Sequence, residues 1–309
     1  MKSALEIPVG DSFEAVVCAG ITAPFDINAP ARLGVPLVVS SPHSGRDYPV
    51  AFLAASRLNL RQLRRSEDSF VEMLFAAAPG IGAHLLAARF PRAYVDVNRE
   101  PFELDPDMFD APLPDYVDIT SKRAAAGLGT IARIVAANVE IYRERLSFVE
   151  VEHRIKALYM PFREALGQLI ETTQRHFGCA VLLDCHSMPS GSLDRHVDIV
   201  LGDRHGTSAH ADLVCAAYES LKSMGYSVVR NEPYAGGAIT RRYGRPDAAT
   251  HAIQVEINRA LYMDEDTFQP LDGFEKLRQD MSNFISTLGY FSLRNIPTLT
   301  RASAWALPN

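Results

Sequence analysis

Residues 179–189 read CAVLLDCHSMP, and this stretch decides the fold. Its first five residues are apolar at every position, which is typical of a strand buried on both faces of a parallel sheet. The stretch then changes to Asp184, His186 and Ser187 and ends at Pro189. Polar side chains that follow a buried strand lie where open α/β sheets bind their ligands. A core histidine with satisfied hydrogen bonds would give the same local pattern. The argument for a functional site therefore depends on the recurrence of this pattern at other strands.

The same change from an apolar strand to polar residues recurs at other predicted strands. The strand predicted at 35–40 leads to His43, the one at 93–97 leads to Asn98 and Arg99, and the one at 252–257 contains Glu256. Further strands are predicted at 83–88, 197–202 and 226–230, and helices at 59–78, 130–176, 208–224 and 274–288. Strands that alternate with helices predict a three-layer α/β fold, a mixed and mostly parallel sheet flanked by helices.

The overall composition excludes several functional classes. Hydrophobic residues make up 47% of the 309 residues and charged residues 22%, as in ordinary globular proteins. A net charge of −6 does not fit a nucleic-acid-binding surface. The sequence has no apolar run that would span a membrane and no signal-peptide core at its start. Its four cysteines form no CxxC pair, so we expect free thiols in a cytoplasmic protein, either a monomer or a homo-oligomer.

No linker-like segment divides the chain, so we predict one catalytic domain over residues 1–309. Residues 1–33 are rich in Gly, Pro and Asn and predict an irregular segment at the edge of the core. Residues 102–176 predict a long loop followed by helices. Long loops in compact domains are usually functional, and we expect this insertion to cap the site and restrict it to small substrates.

The polar residues at the strand ends suit a metal site. Two histidines and one carboxylate, with a fourth position open, are a common ligand set of catalytic zinc, and other divalent metals fit the same donors. His43 and His186 supply the histidines. Asp68 is the preferred carboxylate because the apolar residues that follow it predict a packed helix face, and Glu67 is the alternative. Glu256 stands inside an apolar run, where a carboxylate is unfavourable unless it is paired or functional.

Seven motifs resemble the N-formylglutamate amidohydrolase family, from about residue 35 to about residue 290. They are SPHSG at 41–45, ED at 67–68, DVNR at 96–99, GTIARI at 129–134, DCHSMPS at 184–190, PYAGG at 233–237 and QVEINRALYM at 254–263. This family is similar to the zinc carboxypeptidase and aspartoacylase group, whose site residues follow the order His, acid, Asn-Arg, His, Glu. The resemblance therefore implies a zinc-exopeptidase-like α/β fold.

One position departs from the pattern of that larger group. The group has its acidic metal ligand three residues after the first histidine, and here that position is Arg46, which cannot bind a metal. Asp47 lies one residue further along. We therefore expect the acidic ligand at Asp68, outside the short motif.

The resemblance implies hydrolysis of N-formyl-L-glutamate, or of a similar N-acyl amino acid, to formate and the free amino acid, a step of histidine degradation. Zinc held by His43, Asp68 and His186 would activate a water molecule, and Glu256 would transfer its proton to the leaving amine. The other expected roles are oxyanion stabilisation by Arg92 or Arg133, binding of the α-carboxylate by Asn98 and Arg99, binding of the second carboxylate by Arg242, Arg245 or Arg259, closure by Tyr234, and orientation of a histidine by Asp184.

Two other functions fit the same sequence. One is a zinc carboxypeptidase-like deacylase or peptidase that acts on another small acyl amino acid. The other is a non-catalytic zinc-binding protein with this fold. Glu256 and Arg99 argue against the second function, because neither is needed to hold a metal and structural zinc normally has four protein ligands.

Overall fold

The computed structural model describes residues 20–135, 139–192 and 196–305, with side chains to residue 296. Within these ranges, seven strands form the main sheet: β1 (Phe25–Asn28), β2 (Leu37–Ser41), β3 (His84–Ala88), β6 (Ala180–Met188), β7 (Ile199–Gly202), β8 (Val228–Arg230) and β9 (Thr250–Asn258). Two small two-stranded sheets pair β4 (Ile134–Val135) with β5 (Val139–Glu140), and β10 (Met263–Asp264) with β11 (Gln269–Pro270).

The main sheet has the strand order β1-β3-β2-β6-β9-β7-β8. Its four central strands β3, β2, β6 and β9 are parallel, whereas β1, β7 and β8 run in the opposite direction. The longest pairing joins β6 to β9 over nine residues and sets His186 opposite Glu256. Every residue of these two strands is buried, as expected for central strands covered on both faces.

Helices cover both faces of the sheet. They are α1 (Val50–Ala55), α2 (Leu60–Arg64), α3 (Val71–Leu74), α4 (Lys122–Ala125), α5 (Phe148–Arg154), α6 (Met160–Phe177), α7 (Ala211–Ser223), α8 (Ala238–Tyr243) and α9 (Gly273–Trp305). A π-helical turn at Ile155–Tyr159 joins α5 to α6, and short 3₁₀ helices lie at Ala78–Ile81, Pro106–Met108, Pro246–Ala248 and Arg259–Leu261.

Alternate residues of β6 separate the two hydrophobic cores. Leu182 packs in the core that contains Phe162 and Leu166 of α6. Leu183 packs in the opposite core, which contains residues of α3, α7 and α9. The molecule thus has three layers, and the prediction of a three-layer α/β fold with a mixed sheet is confirmed.

Three predicted elements differ in the structure. Residues 93–97 form turns instead of a strand, because Asp96 N donates to Thr130 O at 2.8 Å and not to a neighbouring strand. The helix predicted over 59–78 is divided into α2 and α3 by turns that carry Glu67 and Asp68. The helix predicted from residue 130 begins only at Phe148, since Ile134–Val135 pair with Val139–Glu140 as β4 and β5, and Tyr142 and Leu146 form isolated bridges.

The segments expected to border the fold also differ from the prediction. Within 1–33, residues 1–19 lie outside the described residues, and Phe25–Asn28 form the regular edge strand β1 beside β3. In the 102–176 insertion, α6 packs its apolar face in the core on one side of the sheet, whereas Arg123, Leu128 and Ala132 of the part before it line the cavity described below. None of the helices within the described ranges is both long enough and apolar enough to cross a membrane.

Candidate active site

The candidate site lies at the carboxyl ends of the parallel strands β2, β6 and β9. His43 follows β2 by two residues, while His186 and Glu256 occupy paired positions near the ends of β6 and β9. Side chains two residues apart in a strand point to the same face. Asp184 and His186 therefore continue the face of Leu182, so the apolar core on this side of the sheet leads directly into the polar site.

Three buried side chains form a group that could hold a metal ion, His43, Asp68 and His186. Asp68 Oδ2 lies 3.3 Å from His43 Nδ1 and 3.0 Å from His186 Nδ1. The three donor atoms all lie within 4.8 Å of one another. Among the described residues, His43 Nδ1 has no hydrogen-bond partner although it is buried, as expected of an atom that serves as a metal ligand.

A second carboxylate lies behind each histidine. Asp96 Oδ1 is 2.7 Å from His43 Nε2, and Asp184 Oδ1 is 3.2 Å from His186 Nε2. A carboxylate that accepts the proton of Nε2 leaves the lone pair on Nδ1, which is the arrangement found around histidine ligands of metals. Both Nδ1 atoms face Asp68, and at His43 the hydrogen bond with Asp96 selects the ring nitrogen that points to this group.

The site carries a surplus of buried negative charge. Four carboxylates surround the two histidines, those of Asp68, Asp96, Asp184 and Glu256, and all four are buried. The guanidinium groups of Arg92 and Arg259 pair with two of them, at 2.8 Å from Asp96 and 3.2 Å from Asp68. Buried charges need compensation by an opposite charge, so this surplus fits a bound cation.

The pKa values at the site follow from this charge distribution. Burial alone would raise the pKa of Asp68, but its hydrogen bond with His186 and the charges of His43 and His186 hold that pKa well below its usual range. Burial lowers the pKa of His186, but Asp184 and Asp68 raise it well above its usual range. Burial raises the pKa of Glu256 to about 7, with a further increase from the charge of Asp68, although the charges of His186 and Arg92 oppose it. The carboxylates therefore favour positive charge at the position of the two histidines.

Glu67 is turned away from the histidines. Its carboxylate accepts hydrogen bonds from Tyr48 Oη at 2.7 Å, from Ser69 Oγ at 2.7 Å and from Arg64 Nε at 3.1 Å. Each carboxylate oxygen thus has a donor within the protein. Of the two adjacent acids, Asp68 faces the histidines, and Glu67 holds the turn that presents Asp68.

The two residues near the first histidine take no part in the metal group. Arg46 forms an ion pair with Glu72 at 2.9 Å, and Asp47 forms one with Arg89 at 2.8 Å. The structure therefore places the acidic member of the group outside the short SPHSG motif, on the turn between α2 and α3.

A cavity of about 590 Å³ opens from the two histidines. Glu256, Gln254 and Arg92 line it near the metal group, and Tyr234 and residues 235–237 form another part of its wall. The volume is typical of a site for a small molecule.

The sequence matches the family described as N-formylglutamate amidohydrolase over residues 35–263. The chain belongs to the N-formylglutamate amidohydrolase family. This match covers most of the chain and includes the metal group, Glu256 and the cavity, so the predicted family is confirmed.

Proteins named for this activity are similar to the chain over most of its length. A Pseudomonas aeruginosa protein named N-formylglutamate deformylase is 32% identical over 244 residues, which cover 75% of this chain and 83% of that protein. A Pseudomonas putida protein of the same name is 30% identical over 249 residues, with the same coverage. The crystal structure of N-formylglutamate amidohydrolase from Ralstonia eutropha JMP134 has a TM-score of 0.81 and 35% identity, covering 91% of this chain and 99% of that chain.

In this family member, some predicted substrate-binding residues line the cavity and others do not. The cavity-lining residues are Arg92, Asn98, Arg99, Tyr234 and Arg259. Arg133 instead donates to Asp105 at 2.7 Å and lies outside the cavity. Arg242 and Arg245 are exposed outside it, because α8 and the following turn direct their apolar residues to the core. These three arginines are therefore not near the two histidines.

Two of the cavity-lining residues, Asn98 and Arg259, use their side chains for contacts with other residues of the protein. Asn98 Nδ2 lies 3.1 Å from His186 Nε2, while Asn98 Oδ1 accepts a hydrogen bond from Ile239 N at 2.9 Å. Arg259 donates to Asp68 Oδ1 at 3.2 Å and to Ser187 Oγ at 3.1 Å. Their contacts position the metal group, which differs from the predicted binding of substrate carboxylates.

Asp96 and Gln254 belong to the site although the sequence reasoning assigned them no role. Asp96 accepts from both His43 and Arg92, so it joins the metal group to the cavity wall. Gln254 Nε2 donates to Glu256 Oε1 at 2.9 Å, and its Oε1 accepts from Gly237 N at 2.8 Å. The spacing of two between Gln254 and Glu256 is the sequence signal for a shared strand face.

Proposed function

We propose that the protein hydrolyses the amide bond of N-formyl-L-glutamate and releases formate and L-glutamate. One observation carries the proposal: in a member of this family, His43, Asp68 and His186 converge on one point in the cavity that Glu256 also lines. A general base beside a metal group is needed for hydrolysis and is not needed for metal binding alone.

The donor atoms of the metal group suit zinc. Two imidazole nitrogens and one carboxylate oxygen form the three-ligand set that catalytic zinc sites use, with a further position left for water or substrate. A bound zinc ion supplies Lewis-acid activation of a water molecule and of the substrate carbonyl. His43, Asp68 and His186 would hold it, and Asp96 and Asp184 would orient the two imidazoles.

Glu256 acts as the proton carrier in this proposal. Gln254 donates to Glu256 Oε1, which fixes the orientation of the carboxylate and leaves Oε2 for the reaction. Glu256 takes a proton from the attacking water and delivers it to the amide nitrogen as the C–N bond breaks. Its position at the end of a central strand keeps this carboxylate rigid.

Two arginines complete the reaction site. Arg92 lines the cavity beside the metal group and would stabilise negative charge on the formyl oxygen. Arg99 is held by hydrogen bonds from its Nε to Leu128 O at 2.8 Å and from its Nη1 to Asn98 O at 3.3 Å. Within the described part of the chain, no carboxylate forms an ion pair with Arg99, so its guanidinium is available for the substrate α-carboxylate.

The experiment is a formate-release assay with N-formyl-L-glutamate on the purified protein. We expect release to disappear after treatment with a chelator and to return when zinc is added. Glu256→Gln should retain zinc and lose about 100- to 10,000-fold in kcat, since general acid–base catalysis contributes that range. Glu275→Gln, an exposed acid on α9, is the matched control and should leave the rate unchanged.

Two results would contradict the proposal. Formate release that persists in the zinc-free protein would exclude metal-dependent hydrolysis. A fully zinc-loaded protein that releases no formate, but cleaves N-acetyl-L-glutamate or a dipeptide, would support the deacylase or peptidase alternative.

A further inference from the structure

The cavity contains more guanidinium groups than the proposed reaction accounts for. Among the residues that the structure describes, five arginines line it: Arg65, Arg92, Arg99, Arg123 and Arg259. Arg92 and Arg259 pair with carboxylates of the site, at 2.8 Å and 3.2 Å. The side chains of Arg65 and Arg123 form neither a hydrogen bond nor an ion pair with any residue that the structure describes. A cavity with unpaired cations suits a substrate with more than one negative charge.

Arg123 lies next to Arg99, because both residues are bonded to Leu128. Leu128 N donates to Arg123 O at 2.8 Å, and Leu128 O accepts from Arg99 Nε at 2.8 Å. The two guanidinium groups also interact electrostatically. Burial lowers the pKa of Arg99, and the positive charges of Arg92 and Arg123 lower it further. Arg99 and Arg123 therefore present two neighbouring positive charges on one wall.

The backbone around Arg123 is firmly held although its side chain is exposed. Ser121 Oγ accepts from the backbone N of Arg123 at 3.2 Å and of Ala124 at 3.3 Å, and the Ser121 hydroxyl donates to the buried Glu103. Ala124 is fully buried. Arg123 also lines a second cavity of about 340 Å³, whereas Arg99 does not, so Arg123 lies on the outer side of Arg99.

We propose that Arg123 binds the distal carboxylate of the substrate and makes the site selective for dicarboxylic N-acyl amino acids. This inference rests on the proposed function, in which Arg99 binds the α-carboxylate. Only three carbon atoms separate the two carboxylates of glutamate, so the second one must meet a cation close to Arg99. Arg123 satisfies this requirement, and the guanidinium fork can bind a carboxylate through two hydrogen bonds.

The test compares N-formyl-L-glutamate with N-formyl-L-glutamine, which differs only in a neutral amide at the distal position. We expect Arg123→Gln to lower kcat/KM for the glutamate substrate by about 10- to 100-fold, mainly through KM, as loss of a charged hydrogen bond does. The value for the glutamine substrate should change less than about twofold. Arg123→Lys should restore part of the preference for glutamate, because it restores the charge without the fork.

Two control variants separate Arg123 from its alternatives. Arg65→Gln removes the other unpaired guanidinium of the cavity, and Lys122→Gln removes a positive charge from the same short helix outside this cavity. Both should leave the ratio of the two kcat/KM values unchanged. The inference is overturned if Arg123→Gln lowers both values equally, or if Arg65→Gln alone abolishes the preference.

Binding of the products keeps this test independent of the proposed function. Calorimetry with L-glutamate and L-glutamine on the zinc-loaded protein measures the same preference without turnover. We expect tighter binding of L-glutamate and a loss of that difference in Arg123→Gln. If the wild-type protein releases no formate but shows this pattern, the proposed reaction fails and the role of Arg123 stands. Equal binding of the two amino acids, or binding of neither, overturns the inference.

Discussion

Asp68 and Glu67 are adjacent acids whose surroundings give them different functions. Asp68 faces His43 and His186, whereas all donors to Glu67 belong to the protein framework. Asp68→Asn should weaken zinc binding by at least about 10- to 100-fold, the loss seen even for residues that only support metal ligands. Glu67→Gln should retain zinc but lower the free energy of unfolding by about 1–3 kcal/mol, because it weakens hydrogen bonds to buried donors.

The measurements for this pair are metal content after dialysis against a weak chelator and urea unfolding of the zinc-free proteins. Zinc lost from Glu67→Gln but kept by Asp68→Asn would reverse the two roles and make Glu67 the acidic ligand.

His251 predicts a pH dependence of stability at a position far from the cavity. His251 Nδ1 accepts a hydrogen bond from His210 N at 3.2 Å, and burial together with the charge of His210 lowers the pKa of His251 to about 4. The unfolded chain takes up this proton near its usual pKa of about 6.5. Between about pH 6.5 and pH 4 the unfolded state therefore binds more protons, so the unfolding free energy falls as the pH falls.

This contribution is complete above about pH 6.5 and amounts to at most about 3 kcal/mol. His251→Asn keeps an acceptor for His210 N and does not titrate, so its unfolding free energy should change less over this window. His205→Asn is the control, because His205 is exposed and its φ of 56° suits Asn. Equal pH dependence of wild type and His251→Asn in urea unfolding of the zinc-free proteins would refute the prediction.

At the level of elements, the segment that contains Gly236 and Gly237 is packed against the site. A Cβ atom on Gly237 would lie 2.3 Å from Asn98 Oδ1, and Asn98 contacts His186. The structure shows a steric requirement for close approach at Gly237.

Gly237→Ala should therefore displace Asn98 and lower kcat/KM for N-formyl-L-glutamate by about 100-fold, as small displacements in active sites do. Gly80→Ala is the matched control, because a Cβ at Gly80 meets no atom within 4 Å. Formate-release kinetics compare the two variants, and wild-type kinetics for Gly237→Ala would show that the loop can shift without disturbing His186.

For the whole molecule, the surplus of buried carboxylates predicts that zinc stabilises the fold. Zinc that binds only the folded state at 100 times its dissociation constant should raise the unfolding free energy by about 2.7 kcal/mol. The zinc-free protein should therefore melt at a lower temperature. Asp68→Asn should show a smaller increase at the same zinc concentration, and an equal increase in both proteins by calorimetry would place the stabilising ion elsewhere.

The strands that carry the site were predictable because they are central. Strands β6 and β9 are buried on both faces, so their residues form apolar runs that the sequence displays directly. The turns at 93–97 and the segment at 139–146 were not predictable in this way. Apolar side chains there, such as Tyr94 and Ile141, are also buried. Backbone groups such as Asp96 N and Arg143 N bond to distant segments, so the apolar spacing resembles that of a strand or a helix that does not form.

The sequence alone determined the α/β class and the family resemblance, and it predicted His43, His186, Glu256 and one of the adjacent acids Asp68 and Glu67, because each prediction depends on local residue types. Only the tertiary structure showed that Asp68 and not Glu67 faces the histidines. Only the tertiary structure decided which arginines line the cavity. Arg123 lines it and Arg133 does not, although both belong to the segment between β3 and α5. The physical reason is that the position of an arginine side chain depends on contacts between segments that are distant in sequence. Ser121, two residues before Arg123, donates a hydrogen bond to Glu103, and Arg133 itself donates one to Asp105. The local sequence pattern does not predict these contacts.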